Sequence, residues 1–349
     1  MPIVNNQQNN LMKVTKLIYL FLVMISLAGC SPEGNSIQSI TLTLSNDKIE
    51  IGESVTFSVT AENGQNLSAK AKYFVNGTQI SGRDLTPDVP GIYSIKATYN
   101  NVTSNVVNLE VEALGTRFQK RPVLEDYTGT WCGWCPRVAY AIELLEDATD
   151  FAIPIAIHRG DTMETTYAKK LLSAFNVEGF PTAFVDRDFK MSAPEPNNVT
   201  QITDLTKEDA VAGLYFKSSL SGNTIKLKVK AQFGKDFDKD VKLVVVILED
   251  GIKEDQKNYT SYFNGDAVLV DFVHNHVLRY AITPVLGDAI PASETKKNNI
   301  YTKEYSLTVP EIITDTNKMS FVAILVDHNK KVINARSVKV NETEEFEIK

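Results

Sequence analysis

The sequence predicts a chain of several domains, in which a central α/β domain lies between two domains made of β-sheet. The chain has 349 residues, of which 43% are hydrophobic, which is enough for two or three domains with cores of their own. On both sides of the middle segment, apolar and polar residues alternate in short runs, as is typical of β-sandwiches. In the middle segment, apolar runs of strand length alternate with runs of helical periodicity, which favours an α/β domain.

The N-terminal segment predicts export and a lipid anchor. Two lysines precede the apolar run "LIYLFLVMISLAGC", which is shorter than the ~20 residues that span a membrane. Its end, "LAGC", resembles the bacterial lipobox, and this resemblance implies a lipid on Cys30. Ser31 replaces the aspartate that commonly retains lipoproteins at the inner membrane. We expect a signal peptide at 1–29, a tether at 30–36 and an anchor in the outer membrane, on its periplasmic or its surface face. The alternative is an ordinary signal peptide with a chance cysteine.

Residues 37–112 are predicted to form the first β-sandwich. Runs such as "SVTFSVTA" and "GIYSIKATYNN" alternate, and Asn76-Gly77 between two apolar runs indicates a type I′ hairpin. The stretch "DVPGIYSI" resembles the tyrosine corner of immunoglobulin-like sandwiches, with Tyr93 as the corner residue. We interpret this domain as a spacer, and adhesion or ligand binding is the alternative.

Residues 113–208 are predicted to form the α/β domain. Strands are indicated by "RPVLEDY", "FAIPIAIH" and "PTAFVD", and helices by "CPRVAYAIELLEDA", "TTYAKKLLSAFN" and "NNVTQITDLTKED". Pro154 predicts that the second strand starts there or lies at an edge of the sheet. Residues 209–349 return to alternation, as in "NTIKLKVKAQF", and predict a second β-sandwich.

Charge and histidine content limit the partners. The net charge is −7 and no basic stripe is present, so we expect no nucleic-acid partner. A structural zinc site needs four ligands, and only His158 among the four histidines lies in the central segment. His274 and His276 would share one face of a strand, but no third ligand can be identified. We therefore expect neither a metal nor another cofactor.

The stretch "YTGTWCGWCPRVAY" contains Cys132 and Cys135 and carries most of the chemical information. The pair could be a redox site, a structural disulfide or half of a zinc site. A disulfide across so short a loop stabilises little, and a zinc site lacks its second pair of ligands. A helix that begins after Cys135 would favour the reactive thiolate, and Pro136 suits its first turn. We therefore expect Cys132 to attack a disulfide and Cys135 to resolve the mixed disulfide.

Three stretches together resemble the thioredoxin fold: "WCGWCP", "EDYTGTWC" and "VEGFPTAFV". The resemblance implies that Asp126 handles the proton of Cys135 and that Pro181 is a cis-proline against the disulfide. It also implies that Phe180 presents its backbone to an extended substrate. Trp134 between the cysteines cannot stabilise a thiolate as a histidine would, so we do not expect a strongly oxidising pair.

The lipobox, "VLEDYTGTWCGWCP" and "HNHVLR" resemble the outer membrane protein twenty-eight related family. The expected fold class is therefore a central thioredoxin-like domain flanked by an immunoglobulin-like and a C-terminal β-sandwich. The expected function is thiol–disulfide exchange on protein or peptide thiols and disulfides. Trp131, Trp134 and Phe180 would contact the substrate. The alternative is a surface-anchored binding or adhesion lipoprotein that uses the same fold as a scaffold.

Overall fold

The structure, a computed structural model, describes residues 37–349. The predicted signal peptide, the tether and Cys30 lie outside these residues. The chain divides into two compact units, of which the first ends at Leu114 and the second covers Gly115–Lys349. Each unit is described by itself below.

The first unit consists of two sheets around one core. The strands are β1 (Ile40–Leu44), β2 (Lys48–Glu50), β3 (Val55–Ala61), β4 (Lys72–Val75), β5 (Thr78–Ile80), β6 (Asp84–Leu85), β7 (Gly91–Tyr99), β8 (Val102–Thr103) and β9 (Val107–Glu112). One sheet has the order β1-β3-β6, and the other has the order β2-β9-β7-β4-β5 with β8 beside β7. Because side chains alternate across a strand, Val55, Phe57 and Val59 of β3 all point into the core. Asn76 and Gly77 join β4 to β5 with positive φ angles, as a type I′ turn requires.

The second unit contains seventeen strands, three α-helices and four short 3-10 helices among its residues. The strands are β10 (Phe118–Gln119), β11 (Val123–Thr128), β12 (Ile153–His158), β13 (Thr182–Val185), β14 (Phe189–Lys190), β15 (Asp209–Ala210), β16 (Ala212–Ser221), β17 (Thr224–Phe233), β18 (Val241–Glu249), β19 (Ile252–Lys257), β20 (Val268–His274), β21 (Val277–Ala281), β22 (Asp288–Ile290), β23 (Ile300–Thr308), β24 (Met319–Val326), β25 (Val332–Lys339) and β26 (Thr343–Glu344). The helices are α1 (Pro136–Ala148), α2 (Thr166–Ala174) and α3 (Thr200–Thr203), and the 3-10 helices are Glu195–Asn197, Leu205–Lys207, Phe263–Gly265 and Thr316–Lys318.

A nine-stranded sheet organises this unit. Its order is β14-β13-β11-β12-β21-β18-β24-β25, with β22 also paired to β18. Strand β11 runs parallel to β12 and antiparallel to β13. Helix α2 packs on one face of the β11–β13 part, and α1 and α3 pack on the other face. The cysteine loop, which connects β11 to α1, therefore lies at the end of an interior strand.

Strand β18 is apolar along almost its whole length because both of its faces are covered. Val244, Val246 and Leu248 belong to the core that α2 shares. The residues between them belong to a second core, which the four-stranded sheet β23-β17-β16-β26 covers. A strand buried on both faces shows a continuous apolar run instead of alternation. The central strands of the unit are therefore β18 and its neighbour β24.

The predicted fold class is wrong. It placed a thioredoxin-like α/β domain between an immunoglobulin-like sandwich and a separate C-terminal sandwich. Strands make up 45% of the described residues and helices 12%, and α3 has only four residues. Strands from the predicted α/β segment and from the C-terminal segment form one continuous sheet, joined where Ala156 of β12 pairs with Val277 of β21. The physical reason is that the free edge of β12 has unpaired backbone groups, which β21 satisfies.

Pro154 lies near the start of β12, which begins at Ile153 and is an interior strand. Of the two predicted alternatives, the start of the strand agrees with the structure to within one residue, and the position at an edge of the sheet is wrong. The proline is tolerated because β21 begins only at Val277, opposite Ala156, so that no ladder bond from β21 is required at Pro154.

Candidate active site

The two cysteines lie in the loop between β11 and α1 and form a disulfide with an S–S distance of 2.08 Å. Cys135 directly precedes Pro136, the first residue of α1. No side chain caps this helix end, and its first turn contains no acidic residue. The dipole of α1 therefore acts on the pair, and no carboxylate of the first turn weakens it. Such a position lowers the pKa of a thiol once the disulfide is reduced.

Asp126 lies in β11, deep beside the pair. Its side chain is 3% exposed, and its Oδ1 has no hydrogen-bond partner among residues 37–349. Burial, and then the negative charge of Glu195, raise the pKa of Asp126 well above its usual value. Glu195 is also buried and binds the guanidinium of Arg137 in α1. Asp126 and Cys135 line the same cavity, so the structure brings this acid to the cysteine that was predicted to resolve the mixed disulfide.

Phe180 and Pro181 lie between α2 and β13, and the peptide bond between them is cis. The Phe180 ring meets the Trp131 ring edge to face, with 5.6 Å between the centroids. Trp131 is 49% exposed and donates its indole N–H to the carbonyl of Arg159 at 2.7 Å. The structure therefore brings the predicted substrate residues Trp131 and Phe180 together beside the disulfide.

A segment far along the chain covers the other side of the pair. We call Gln256–Tyr259, at the end of β19, the strap. The backbone N–H of Tyr259 donates to the carbonyl of Gly133 at 2.6 Å, and that of Lys257 donates to the carbonyl of Thr130 at 2.9 Å. The side-chain amide of Gln256 donates to the carbonyl of Cys132 at 3.0 Å. The strap thus binds the cysteine loop through the carbonyl groups of Thr130, Cys132 and Gly133.

The strap also explains the glycine between the cysteines. A Cβ atom at Gly133 would lie 2.4 Å from the Tyr259 ring, so only glycine fits beneath it. Trp134 is exposed and meets the same ring edge to face at 6.0 Å. With the strap in place, Cys132 and Cys135 are only 5% and 2% exposed. Sequence reasoning missed Gln256 and Tyr259, because 124 residues separate Gln256 from Cys132 and no local pattern links them.

The two histidines of "HNHVLR" do not share a strand face, contrary to the prediction. His274 ends β20, and His276 has a positive φ angle in the connection to β21. His274 is buried against His158, with 5.1 Å between the ring centroids, whereas His276 pairs with Glu146 of α1 at 2.9 Å. Within residues 37–349, no group of three or more histidine, cysteine, aspartate or glutamate side chains is placed to hold a metal.

The fold and this site define a β-rich protein with a disulfide at a helix N-terminus. The profile of the family described as Outer membrane protein Omp28 matches residues 168–344, half of the chain. The chain belongs to this family, as the sequence predicted. The matched segment contains Pro181 and the strap, whereas the cysteine pair lies before it.

Among solved structures, the chain is similar to HBP35 of Porphyromonas gingivalis, with 22% identity and a TM-score of 0.51. The alignment covers 64% of this chain and 76% of that chain. Similarity at this level concerns the fold alone. An alignment with three N-terminal domains of the outer capsid protein Hoc of bacteriophage RB49 covers 88% of this chain and 71% of that one. Its 8% identity and TM-score of 0.29 support no argument. No curated protein matches the chain. No helix among residues 37–349 is long and apolar enough to cross a membrane.

Proposed function

We propose that the protein is a thiol–disulfide oxidoreductase of exported proteins, with Cys132 and Cys135 as the reacting groups. The observation that supports this most is the position of Cys135 directly before an uncapped helix N-terminus. The positive end of the α1 dipole stabilises a negative sulfur more than a neutral thiol. The thiolate is the species that attacks a disulfide.

In the direction of substrate reduction, the thiolate of Cys132 attacks one sulfur of a substrate disulfide, and the other substrate sulfur leaves as a thiolate. Cys135 then loses its proton and attacks Sγ of Cys132, which releases the second substrate sulfur as a thiolate. Two electrons pass from the cysteine pair to the substrate, and the pair becomes a disulfide. The same steps in reverse oxidise a dithiol, so the reduction potential of the pair decides the direction.

The aromatic side chains beside the pair suit a polypeptide substrate. The exposed Trp131 and the partly buried Phe180 form an aromatic surface beside the cysteine loop. Such side chains bury a large area at small cost in conformational entropy and are enriched where proteins bind peptides. Their position favours unfolded or extended segments over small disulfides.

We further propose that the protein is attached to the outer membrane by a lipid on Cys30. Membership in an outer membrane protein family and the "LAGC" stretch support this proposal. Cys30→Ser should move the protein from the membrane fraction to the soluble fraction and abolish labelling with a fatty acid. Retention of Cys30→Ser in the membrane fraction would contradict it.

A second candidate function is binding without chemistry, in a surface-anchored lipoprotein. The strap favours this candidate, because it covers a disulfide whose two cysteines are almost completely buried. Trp134 and Tyr259 remain exposed above it and offer an apolar contact surface. In this case the pair would be a structural cross-link.

Trapping of a mixed disulfide distinguishes the two functions. The Cys30→Ser chain keeps Cys132 and Cys135 as its only cysteines. In that background, Cys135→Ser should accumulate a mixed disulfide with a peptide disulfide, because the resolving thiol is missing. Cys132→Ser is the matched control and should accumulate much less. Equal trapping by both variants, or none by either, would favour the binding protein.

The reduction potential gives an independent check. The pair is equilibrated in glutathione or dithiothreitol buffers and free thiols are alkylated. Exchange catalysts have potentials between about −120 and −270 mV, whereas structural disulfides lie below about −300 mV. A reduction potential between about −120 and −270 mV supports thiol–disulfide exchange. A potential below about −300 mV supports the binding protein.

A further inference from the structure

A partly open cavity of about 70 Å³ lies behind the disulfide, between α1 and the end of β20. Its deep end is formed by the buried residues Asp126, Cys135 and His274. Its outer end is formed by Glu146 and His276, which are partly exposed. The cavity has room for several water molecules, since one water needs about 10–15 Å³.

Two buried polar atoms line the cavity without a partner among residues 37–349. They are Oδ1 of Asp126 and Nε2 of His274, in side chains that are 3% and 6% exposed. Buried polar groups are rarely left unpaired, because they lose their hydrogen bonds to water without replacement. Water inside the cavity would satisfy both atoms.

The protonation states of the two groups are complementary. Burial, and then repulsion from His158, lower the pKa of His274 to about 4, so the ring is neutral at pH 7. The carbonyl of Glu254 accepts a hydrogen bond from the ring, which leaves Nε2 as an acceptor. The raised pKa of Asp126 favours its protonated form, in which the carboxyl donates a hydrogen bond. A water chain can therefore accept from Asp126 and donate to His274.

The remaining charged groups around the cavity have partners or lie at its mouth. His158 binds Asp161 through Nδ1 at 2.7 Å, and its ring meets His274 edge to face. Phe272 meets His274 from a second direction, with 5.0 Å between the centroids, so the imidazole is held in place. Glu143 and Glu146 of α1 and His276 lie toward solvent. The negative charge of Glu195 raises the pKa of Asp126.

From this arrangement we propose that the cavity is a water-filled proton path, in which His274 is a positioning residue that connects Asp126 to solvent. The inference rests on the proposed thiol–disulfide exchange and concerns its second step. There, Asp126 first loses its own proton to the water chain and then takes the proton of Cys135 through water. The thiolate of Cys135 attacks Sγ of Cys132. The bond between Cys132 and the substrate sulfur breaks. The proton then leaves Asp126 along the water chain held by His274 and reaches solvent beside Glu146 and His276.

The test separates the two chemical steps with 5,5′-dithiobis(2-nitrobenzoate) as the disulfide probe. The reduced Cys30→Ser chain should release one coloured thiolate when Cys132 attacks and a second when Cys135 resolves. His274→Ala should slow the second release at least about tenfold and leave the first unchanged. His274→Phe should slow it equally. Added imidazole should restore the second release in His274→Ala, which leaves room for it, but not in His274→Phe.

His328→Asn is the matched control, because His328 is an exposed histidine away from the cavity, and it should behave as the unmodified chain. His274→Gln keeps a hydrogen-bond acceptor and should retain most of the rate of the second release. This variant tests the inference if His274→Ala does not fold. Two results would overturn the inference. In the first, His274→Ala and His274→Phe give the second release at the unmodified rate from about pH 5 to about pH 9. In the second, the release is slowed in His274→Ala but added imidazole does not restore it. If the unmodified chain releases no thiolate, the proposed exchange itself fails and the proton path fails with it.

Discussion

Replacing Gly133 with alanine should open the strap and speed reduction of the disulfide. The added Cβ would lie 2.4 Å from the Tyr259 ring, far inside the normal separation of non-bonded carbon atoms. The ring must move away, and with it the Tyr259 N–H that donates to the Gly133 carbonyl at 2.6 Å. The backbone of Gly133 has no positive φ angle, so the substitution acts through the ring and not through strain of the loop.

The size of the effect follows from the contacts that are lost. A backbone hydrogen bond contributes about 1 kcal/mol to stability. The edge-to-face contact between Trp134 and Tyr259 contributes about 1 kcal/mol more. Loss of both changes the equilibrium between the closed and the open strap by about 2 kcal/mol. If only the open form is reduced, the rate should rise about 30-fold, since 1.4 kcal/mol corresponds to a factor of ten.

The assay measures the rate at which a water-soluble phosphine reduces the disulfide. Gly179→Ala is the control, because a Cβ at Gly179 meets no atom within 4 Å, and its rate should not change. Tyr259→Ala loses the ring contact but keeps the backbone N–H that donates to the Gly133 carbonyl, so its rate should rise only about fivefold. The double variant should match Tyr259→Ala, because the ring that the new Cβ at position 133 would meet is then absent. If Gly133→Ala folds normally and is reduced at the unmodified rate, the strap does not limit access and the reasoning is refuted.

Three further predictions concern the residues around the pair. The raised pKa of Asp126 means that the folded state holds this proton more tightly, so stability is lost as the pH rises from about 4 through that pKa. Asp126→Asn should remove this loss, which urea unfolding at several pH values measures. Glu125→Gln should lower the free energy of unfolding by about 3 kcal/mol, because it leaves the buried guanidinium of Arg187 without its carboxylate; a change below about 1 kcal/mol would contradict this. Phe180→Ala should lower kcat/KM about tenfold for a peptide disulfide and leave glutathione disulfide unaffected, and equal losses for both would argue against peptide contact.

Much of the local structure could be predicted from the sequence. The apolar periodicity of "CPRVAYAIELLEDA" predicts α1, and Val138, Ile142 and Leu145 are indeed buried. The alternation of "NTIKLKVKAQF" predicts β17, in which Ile225 and Leu227 face the core. These features depend on residues that are close in sequence, where the helical and strand periods appear directly. The helix predicted from "NNVTQITDLTKED" contracts to Thr200–Thr203, a segment with no sustained periodicity.

The position of the cysteine pair could also be predicted. A helix that starts after Cys135 and a strand that ends before Cys132 are local features, and together they place the pair at a helix N-terminus. The burial of Asp126 and its environment depend on Glu195 and on the packing of α1, which the sequence pattern does not describe. The position of the pair was therefore predictable, and the electrostatics of the neighbouring acid were not.

By itself, the sequence determined the strands, the longer helices, the cysteine pair before α1 and the family. Only the tertiary structure decided that the central and C-terminal segments share one sheet, and that Gln256 and Tyr259 cover the cysteine loop. The physical reason is the same in both cases. The joining of β12 to β21 and the strap depend on hydrogen bonds to backbone groups, which every residue except proline carries in the same form. Such pairings leave no signature in the residue types, and burial of the two cores decides which distant strands meet.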